Sequence, residues 1–318
     1  MSRSPYWICS DSVWERKGKA IFLKGRSGWA SVCVFALIGV WLCTDAWGSE
    51  RSAAWGADRG AADRPQKIVS LNLCADQYLI ALADRSQIAG LSHFARDPAL
   101  SFTARTAADW PVTKGRAEDL VELEPDLIIT SGIRRPAIRA FLETRNVDVV
   151  EISPARSLDE IRAQTRLIGK AIGQQSKAEA LIHDMVARLG SHPAPNGLRA
   201  VHYQPRGFLS GQDTLVSEVM SWAGLKNASG EAGVARIARL SVESLILLEP
   251  DILITNARSA EAKDRGSELL RHPALRALFP DERWLRLPDP LLICGGPSFP
   301  HAVEALRRQL KMLAPAGP

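Results

Sequence analysis

The chain has 318 residues, 46% of them hydrophobic and 24% charged, with 40 Lys and Arg against 35 Asp and Glu for a formal net charge of +5. These proportions exclude a disordered or fibrous chain, and a surplus so small and dispersed leaves no footprint for nucleic acid. There is no P-loop and no dinucleotide glycine fingerprint, and Ser70, Ser131 and Ser210 lie in no G-x-S-x-G nucleophile elbow.

Residues 1–28 are polar and basic, and residues 29–43 are apolar. That apolar run is short for a spanning helix, which needs roughly 20 residues. It suits the core of a secretory signal, with Lys19, Lys24 and Arg26 before it and Ala46-Trp47-Gly48 ahead of a cut at Ser49. The expectation is a signal peptide over 1–48 and export to the periplasm; an uncleaved membrane anchor is the competing reading. Cys43 follows Val-Trp-Leu, which lacks the small residues of a lipid-anchor site. Cleavage leaves a chain with a formal charge near +2 and only Cys74 and Cys294. Residues 49–65 are small, charged and aperiodic, and read as a flexible linker.

The first lobe, 66–156, opens with a strand over 67–71 and a helix over 74–83, then a strand over 88–91. The loop after it carries His93, Phe94 and Arg96, and a polar connection carries Trp110, Lys114 and Arg116. Residues 117–130, AEDLVELEPDLIIT, read as a short helix stopped by Pro125, then a strand buried on both faces. Arg134 and Arg135 follow, then a helix over 136–144 and a strand over 147–152. Residues 157–189 are helical with a break around 169–175, opened by a Ser157/Glu160 capping box. This connecting segment, 157–192, separates the lobes in sequence.

The second lobe, 193–318, repeats the plan. Its first strand ends at Tyr203, with Arg206 and Phe208 just beyond, and Asp213 caps a helix running to Ala223. Residues 242–255, VESLILLEPDILIT, match 117–130 without a gap at eight of fourteen positions. A helix over 261–271, a strand over 284–287 and a last helix over 300–313 complete it. The expected fold is α/β: two Rossmann-like, doubly wound lobes joined by a long helix, with ligands bound at the strand ends in a cleft between them.

The opening Ile68-Val69-Ser70-Leu71-Asn72, the paired LEPD segments and the mid-chain helix resemble the periplasmic substrate-binding proteins of ABC importers that carry cobalamin, iron-siderophores and haem. The resemblance covers residues 66 to about 313. It implies a monomeric binding protein without catalysis or cofactor, limited hinge motion, and delivery of ligand to an ABC permease dimer in the inner membrane. One surface acid per lobe docks on permease arginines in that family, and the matching positions are Glu118 and Glu243. Two such contacts fix orientation where one exposed pair, worth about 0–1 kcal/mol, does not. The simpler reading is that both acids favour the positive end of a helix.

His93, Phe94, Arg96, Trp110, Lys114, Arg116, Arg134, Arg135, Tyr203, Arg206 and Phe208 all fall in loops or strand ends expected to face the cleft. Cations with aromatics suit an anionic, partly planar metal chelate: an iron-siderophore or a corrinoid, with haem ranked below, on His93 or Tyr203 as axial ligand. The six histidines form no H-x-x-x-H pair, so no metal site is expected; a bare-metal-binding protein of the same fold, with His93, His202 and His301 as its candidate ligands, is an alternative. Cys74 and Cys294 occupy matching places, each after a strand and before a helix. A lobe-to-lobe disulfide, two buried thiols and soft metal ligation all remain open. A metallocluster or chelatase-like enzyme of two-lobe architecture, and a binding protein feeding a sensor, are the alternative functions.

Overall fold

The structure, a computed structural model, describes residues 64–313 apart from Arg134, Asn146 and Lys263. The signal peptide, all but the last two residues of the linker, and the candidate Arg134 lie outside the described residues. No described helix is long and apolar enough to cross a membrane.

The first sheet is built from β1 (Ile68–Ser70), β2 (Ile88–Ser92), β3 (Val112–Thr113), β4 (Leu127–Thr130) and β5 (Asp148–Glu151), in the order β3-β2-β1-β4-β5. Every pairing is parallel. The connections run through α1 (Leu73–Leu82), α2 (Ala117–Leu123) and α3 (Pro136–Thr144). β1 and β4 are buried throughout, as a strand covered on both faces demands. Asn72 ends β1 and starts α1: its side chain accepts from the backbone N–H groups of Cys74 and Ala75.

The connector expected as one long helix with a break is a pair of antiparallel helices, α4 (Leu158–Ala171) and α5 (Gln175–Leu189). Gly173, at φ +71°, supplies the left-handed residue that turns the chain back. Gly169 lets the helices touch, since a Cβ there would lie 2.4 Å from that of Ala178. Both helices run between the lobes. Leu158 N–H donates to Glu218 of the second lobe, and Ile168 packs into the first core. On the return, Gln174 bonds Asp84 and Gln87 of the first lobe, and Arg188 pairs with Glu304 of the second.

The second sheet comprises β6 (Arg199–Gln204), β7 (Phe208–Ser210), β8 (Lys226–Asn227), β9 (Ile237–Arg239), β10 (Ile252–Asn256) and β11 (Trp284–Leu287). Its order is β11-β10-β6-β7-β9, with β8 also on β6. The helices are α6 (Leu215–Trp222), α7 (Val242–Leu248), α8 (Ala257–Glu261), α9 (Pro273–Leu278) and α10 (Phe299–Met312). This lobe does not copy the first. Arg206 and Gly207 both take positive φ, which reverses the chain after Pro205 and lays β7 antiparallel on β6. The helix expected over 261–271 breaks up as well: Asp264 accepts from the Ser267 N–H in a turn, and Pro273 starts α9. Thr214, not Asp213, caps α6; the Asp213 carboxylate reaches across to Arg156.

The repeated LEPD segment has one geometry in both lobes. Glu124 and Glu249 sit in the left-handed region (φ 44° and 48°), turning the chain sharply from helix into strand. Asp126 then accepts from the N–H groups of Gln66 and Lys67, and Asp251 from that of Arg199. Each aspartate thereby fixes the start of the central strand beside its own.

Candidate functional site

In a doubly wound sheet the strands to either side of the order reversal splay their loops apart, leaving a crevice at their carboxyl ends. Here the reversal lies between β1 and β4. Asn72 Nδ2 donates to Ser131 Oγ across it at 2.8 Å. The cavity beside this bridge is walled by Leu71, Ile133 and Ile138 and rimmed by Ser92, His93, Phe94, Thr113, Lys114, Ser131 and Arg135. Its cations are Lys114 and Arg135, His93 stands beside them, and no carboxylate lines it among the described residues. Arg135 Nη1 donates to the Gly115 carbonyl at 2.6 Å, which steadies the Lys114 loop. The rings of His93 and Phe94 lie 3.8 Å apart, tilted by 38°, and Phe94 keeps 42% of its surface exposed. An apolar wall, an open aromatic edge and uncompensated cations suit an anionic ring or chelate.

A second cavity lies at the carboxyl ends of β6, β10 and β11, lined by Gln204, Arg206, Phe208, Ile237, Arg258, Asp264 and Asp289. The Arg239 guanidinium stands 5.1 Å from the Phe208 ring, a cation–π distance. Two arginines and two aspartates line this wall, and Arg239 adds a third cation at its Phe208 edge.

The two lobes meet at a seam beside these cavities. Cys74, in the first turn of α1, is disulfide-bonded to Cys294, ahead of α10. One turn further along α1, Tyr78 donates to the Gly295 carbonyl at 3.0 Å, and Gly296 lies against its ring. Burial pushes the Tyr78 phenol well above its ordinary value, so it stays a neutral donor.

Of the residues singled out from the sequence, His93, Phe94, Lys114 and Arg135 come together on the first cavity, and Arg206 and Phe208 on the second. Four do not line either. Tyr203 is fully buried and its hydroxyl donates to the Leu240 carbonyl, because both faces of β6 are covered. Trp110 packs on the first core beneath the Arg85 guanidinium. Arg96 donates to the carbonyls of Ala107 and Trp110, bracing their loop. Arg116 is paired with Asp119 at 2.9 Å, and that hydrogen bond holds Asp119 down to about 2. Glu118 and Glu243 stand exposed in the first turns of α2 and α7. Gln204, Arg258, Asp264 and Asp289 were missed; the rule that strand ends carry ligands points to Gln204 and Asp289 directly. No cluster of three or more His, Cys, Asp or Glu side chains able to hold a metal occurs among the described residues.

Two buried groups support these walls. His202, on β6, is held down to about 4 by burial and stays neutral. Asp76, on α1, accepts from the Ser92 N–H and hydroxyl under the first cavity, and burial pushes its carboxyl up to about 6, against the pull of those hydrogen bonds. A folded-state value above the unfolded one means that the fold takes up a proton between about pH 4 and pH 6. Stability therefore falls as pH rises through that window, by about 3 kcal/mol from this group. Asp76→Asn is expected to abolish this contribution, read as a flatter urea-denaturation free energy between pH 4 and pH 6; an unchanged slope refutes the assignment.

Residues 68–279 match the family model described as periplasmic binding protein. A cobalamin-binding protein of Halobacterium salinarum is 24% identical over 217 residues, 66% of this chain; the chain spans only 58% of that relative's length. An uncharacterised ABC transporter substrate-binding lipoprotein of Bacillus subtilis is 23% identical over 266 residues, covering 77% of this chain and 80% of the relative. Among solved structures, a periplasmic haem-binding protein from Pseudomonas aeruginosa superimposes with a TM-score of 0.61 at 25% identity, over 80% of this chain and 95% of that one.

Proposed function

The chain belongs to the periplasmic binding protein family, and from that premise we propose that it is the solute-binding component of an ABC importer, which captures a metal chelate between its lobes and delivers it to an inner-membrane permease without chemical change. The observation that carries this reading is the first cavity: Lys114, Arg135 and His93 with an open Phe94 edge and no acid. Anionic groups of an iron-siderophore or corrinoid meet the cations, and its ring or chelate body covers Phe94 and the apolar wall. The lobe-spanning helix pair and the bridge at the seam favour small lobe movements over wide hinge opening. Export through residues 1–48, a monomeric state and the division into lobes at 66–156 and 193–318 belong to the same proposal.

Haem is the second reading. His93 favours it: the imidazole is exposed on the cavity rim, where an axial ligand is needed, whereas Tyr203 is buried behind the sheet. Calorimetric titration of the purified chain against cyanocobalamin, ferric hydroxamate and catecholate siderophores, haem and bare divalent metals decides between the readings. Saturable binding of one chelate names the cargo, binding of bare metal alone discards the chelate reading, and turnover of a chelate revives the enzyme alternative.

Delivery places Glu118 and Glu243 against permease arginines. Glu243 is held ionised, its carboxyl lowered by a hydrogen bond from its own backbone N–H and by Ser241. Reversing both charges, Glu118→Arg with Glu243→Arg, is expected to leave chelate affinity within about twofold and to cut chelate-stimulated permease ATPase at least tenfold, since such charges set docking rather than ligand capture. Full ATPase in the double variant removes both residues from docking.

A further inference from the structure

We infer that His202 is a positioning residue for a subsite on the second-lobe wall, one that takes a neutral, amide-bearing edge of the ligand. The inference rests on the chelate-binding reading and adds to it which chemical face of the chelate meets which lobe.

The argument begins with a directed chain of hydrogen bonds. Asn256 Nδ2 donates to Asp289 Oδ1 at 2.9 Å, which turns the Asn256 amide oxygen toward the imidazole. His202 Nε2 lies 2.8 Å from that oxygen and must carry the proton. Nδ1 is then bare and accepts from the Ser210 hydroxyl at 2.8 Å. Gln204 Nε2 in turn donates to Ser210 Oγ at 3.0 Å. A neutral imidazole, donating from Nε2 to Asn256 and accepting at Nδ1 from Ser210, satisfies both neighbours, and burial favours that state.

Both ends of this chain surface in the second cavity, which Gln204 and Asp289 line. Gln204 lines the cavity with one amide N–H spent on Ser210, and no protein donor reaches its carbonyl oxygen among the described residues. Asp289 Oδ1 is held by Asn256, while among the described residues Oδ2 has only the Arg258 N–H at 3.4 Å. The wall thus offers two fixed acceptors, and a fixed acceptor selects an N–H donor. Arg206, Arg258 and the Arg239 guanidinium over Phe208 outnumber the two acids of this wall, so it has no net attraction for an ammonium group, while Asp289 itself repels a carboxylate placed on it. A primary amide fits: it donates to the acceptors, and its oxygen accepts from an arginine. The first cavity, with cations alone, takes the anionic edge of the same ligand.

The test compares cyanocobalamin, whose corrin rim carries primary amides, with its monocarboxylate derivatives, in which one amide is hydrolysed. The wild-type chain is expected to prefer at least one intact amide by tenfold or more. His202→Leu is expected to reduce that ratio below threefold with the affinity for the carboxylate form unchanged, and His202→Gln, which keeps a donor to Asn256, to restore most of it. A purely structural histidine would weaken both ligands alike and leave the ratio untouched. Asp289→Asn, at the cavity edge, serves where His202→Leu folds poorly, and is expected to raise affinity for the carboxylate form until the ratio approaches one. Equal wild-type affinity for all amide and carboxylate forms, or an unchanged ratio in these variants, overturns the inference. Tight binding of haem with none of cyanocobalamin overturns it and leaves the chelate reading intact; binding of no chelate overturns both.

Discussion

Reduction of the Cys74–Cys294 bridge, or its removal as Cys74→Ala with Cys294→Ala, lowers the thermal midpoint by roughly 10–20 °C. The two cysteines are 220 residues apart, so the bridge closes most of the described chain into one loop. In the loop-entropy account such a cross-link restricts the unfolded chain by about 5 kcal/mol. For a protein of this size each kcal/mol moves the midpoint by about 2–4 °C. The reduced protein should still fold at 25 °C, because the Tyr78–Gly295 contact and both lobe-spanning helices persist. Scanning fluorimetry of wild type with and without reductant, and of the double variant, measures the effect. A shift under about 3 °C would mean that the unfolded chain already holds its loop ends close.

Neutralising the first cavity, Lys114→Ala with Arg135→Ala, weakens binding of an anionic chelate by about 10²–10⁴-fold. Hydrogen bonds to charged groups contribute about 1.5–3 kcal/mol each, and two are lost together. The Arg135 substitution also frees the Gly115 carbonyl that its guanidinium holds. Arg135→Lys restores the charge but not the planar fork, so it is expected to recover only part of the affinity. The salt dependence of binding should flatten in the double variant, which calorimetry at two ionic strengths reads directly. Unchanged affinity would place the ligand on the second lobe alone.

The two-lobe α/β plan was legible because its signals are local and occur twice. Pro125 and Pro250 stop helices, and the aliphatic runs after them have the composition of strands buried on both faces. The same segments hid something: that Asp126 and Asp251 clamp the start of a neighbouring strand depends on contacts some 50–60 residues away, which no local pattern carries. Within the candidate site, position along a strand could be read, but not direction. Tyr203 and His202 are adjacent on β6, and alternation puts one beneath the Leu240 carbonyl and the other in the hydrogen-bond chain. Arg116 was the avoidable miss, since Asp119 three residues later is a ready helical partner. The second cavity was harder. Arg258 and Asp264 line it from the segment after β10, where a turn from Asp264 to Ser267 replaces the helix that the sequence suggests over 261–271.

The helix pair between the lobes has a thermodynamic consequence. α4 places Leu158 and Ile161 in the second lobe's core and Ile168 and Ala171 in the first's. α5 places Ala178 in the first and Met185 and Leu189 in the second, with Leu181 against both. Neither core is complete without these helices, and neither helix can leave one core while the other stays intact. Melting either lobe strips apolar surface from its partner, so the two are coupled through shared side chains and not merely tethered. A single calorimetric endotherm follows, with a van't Hoff enthalpy matching the measured one, where two independent lobes would give two.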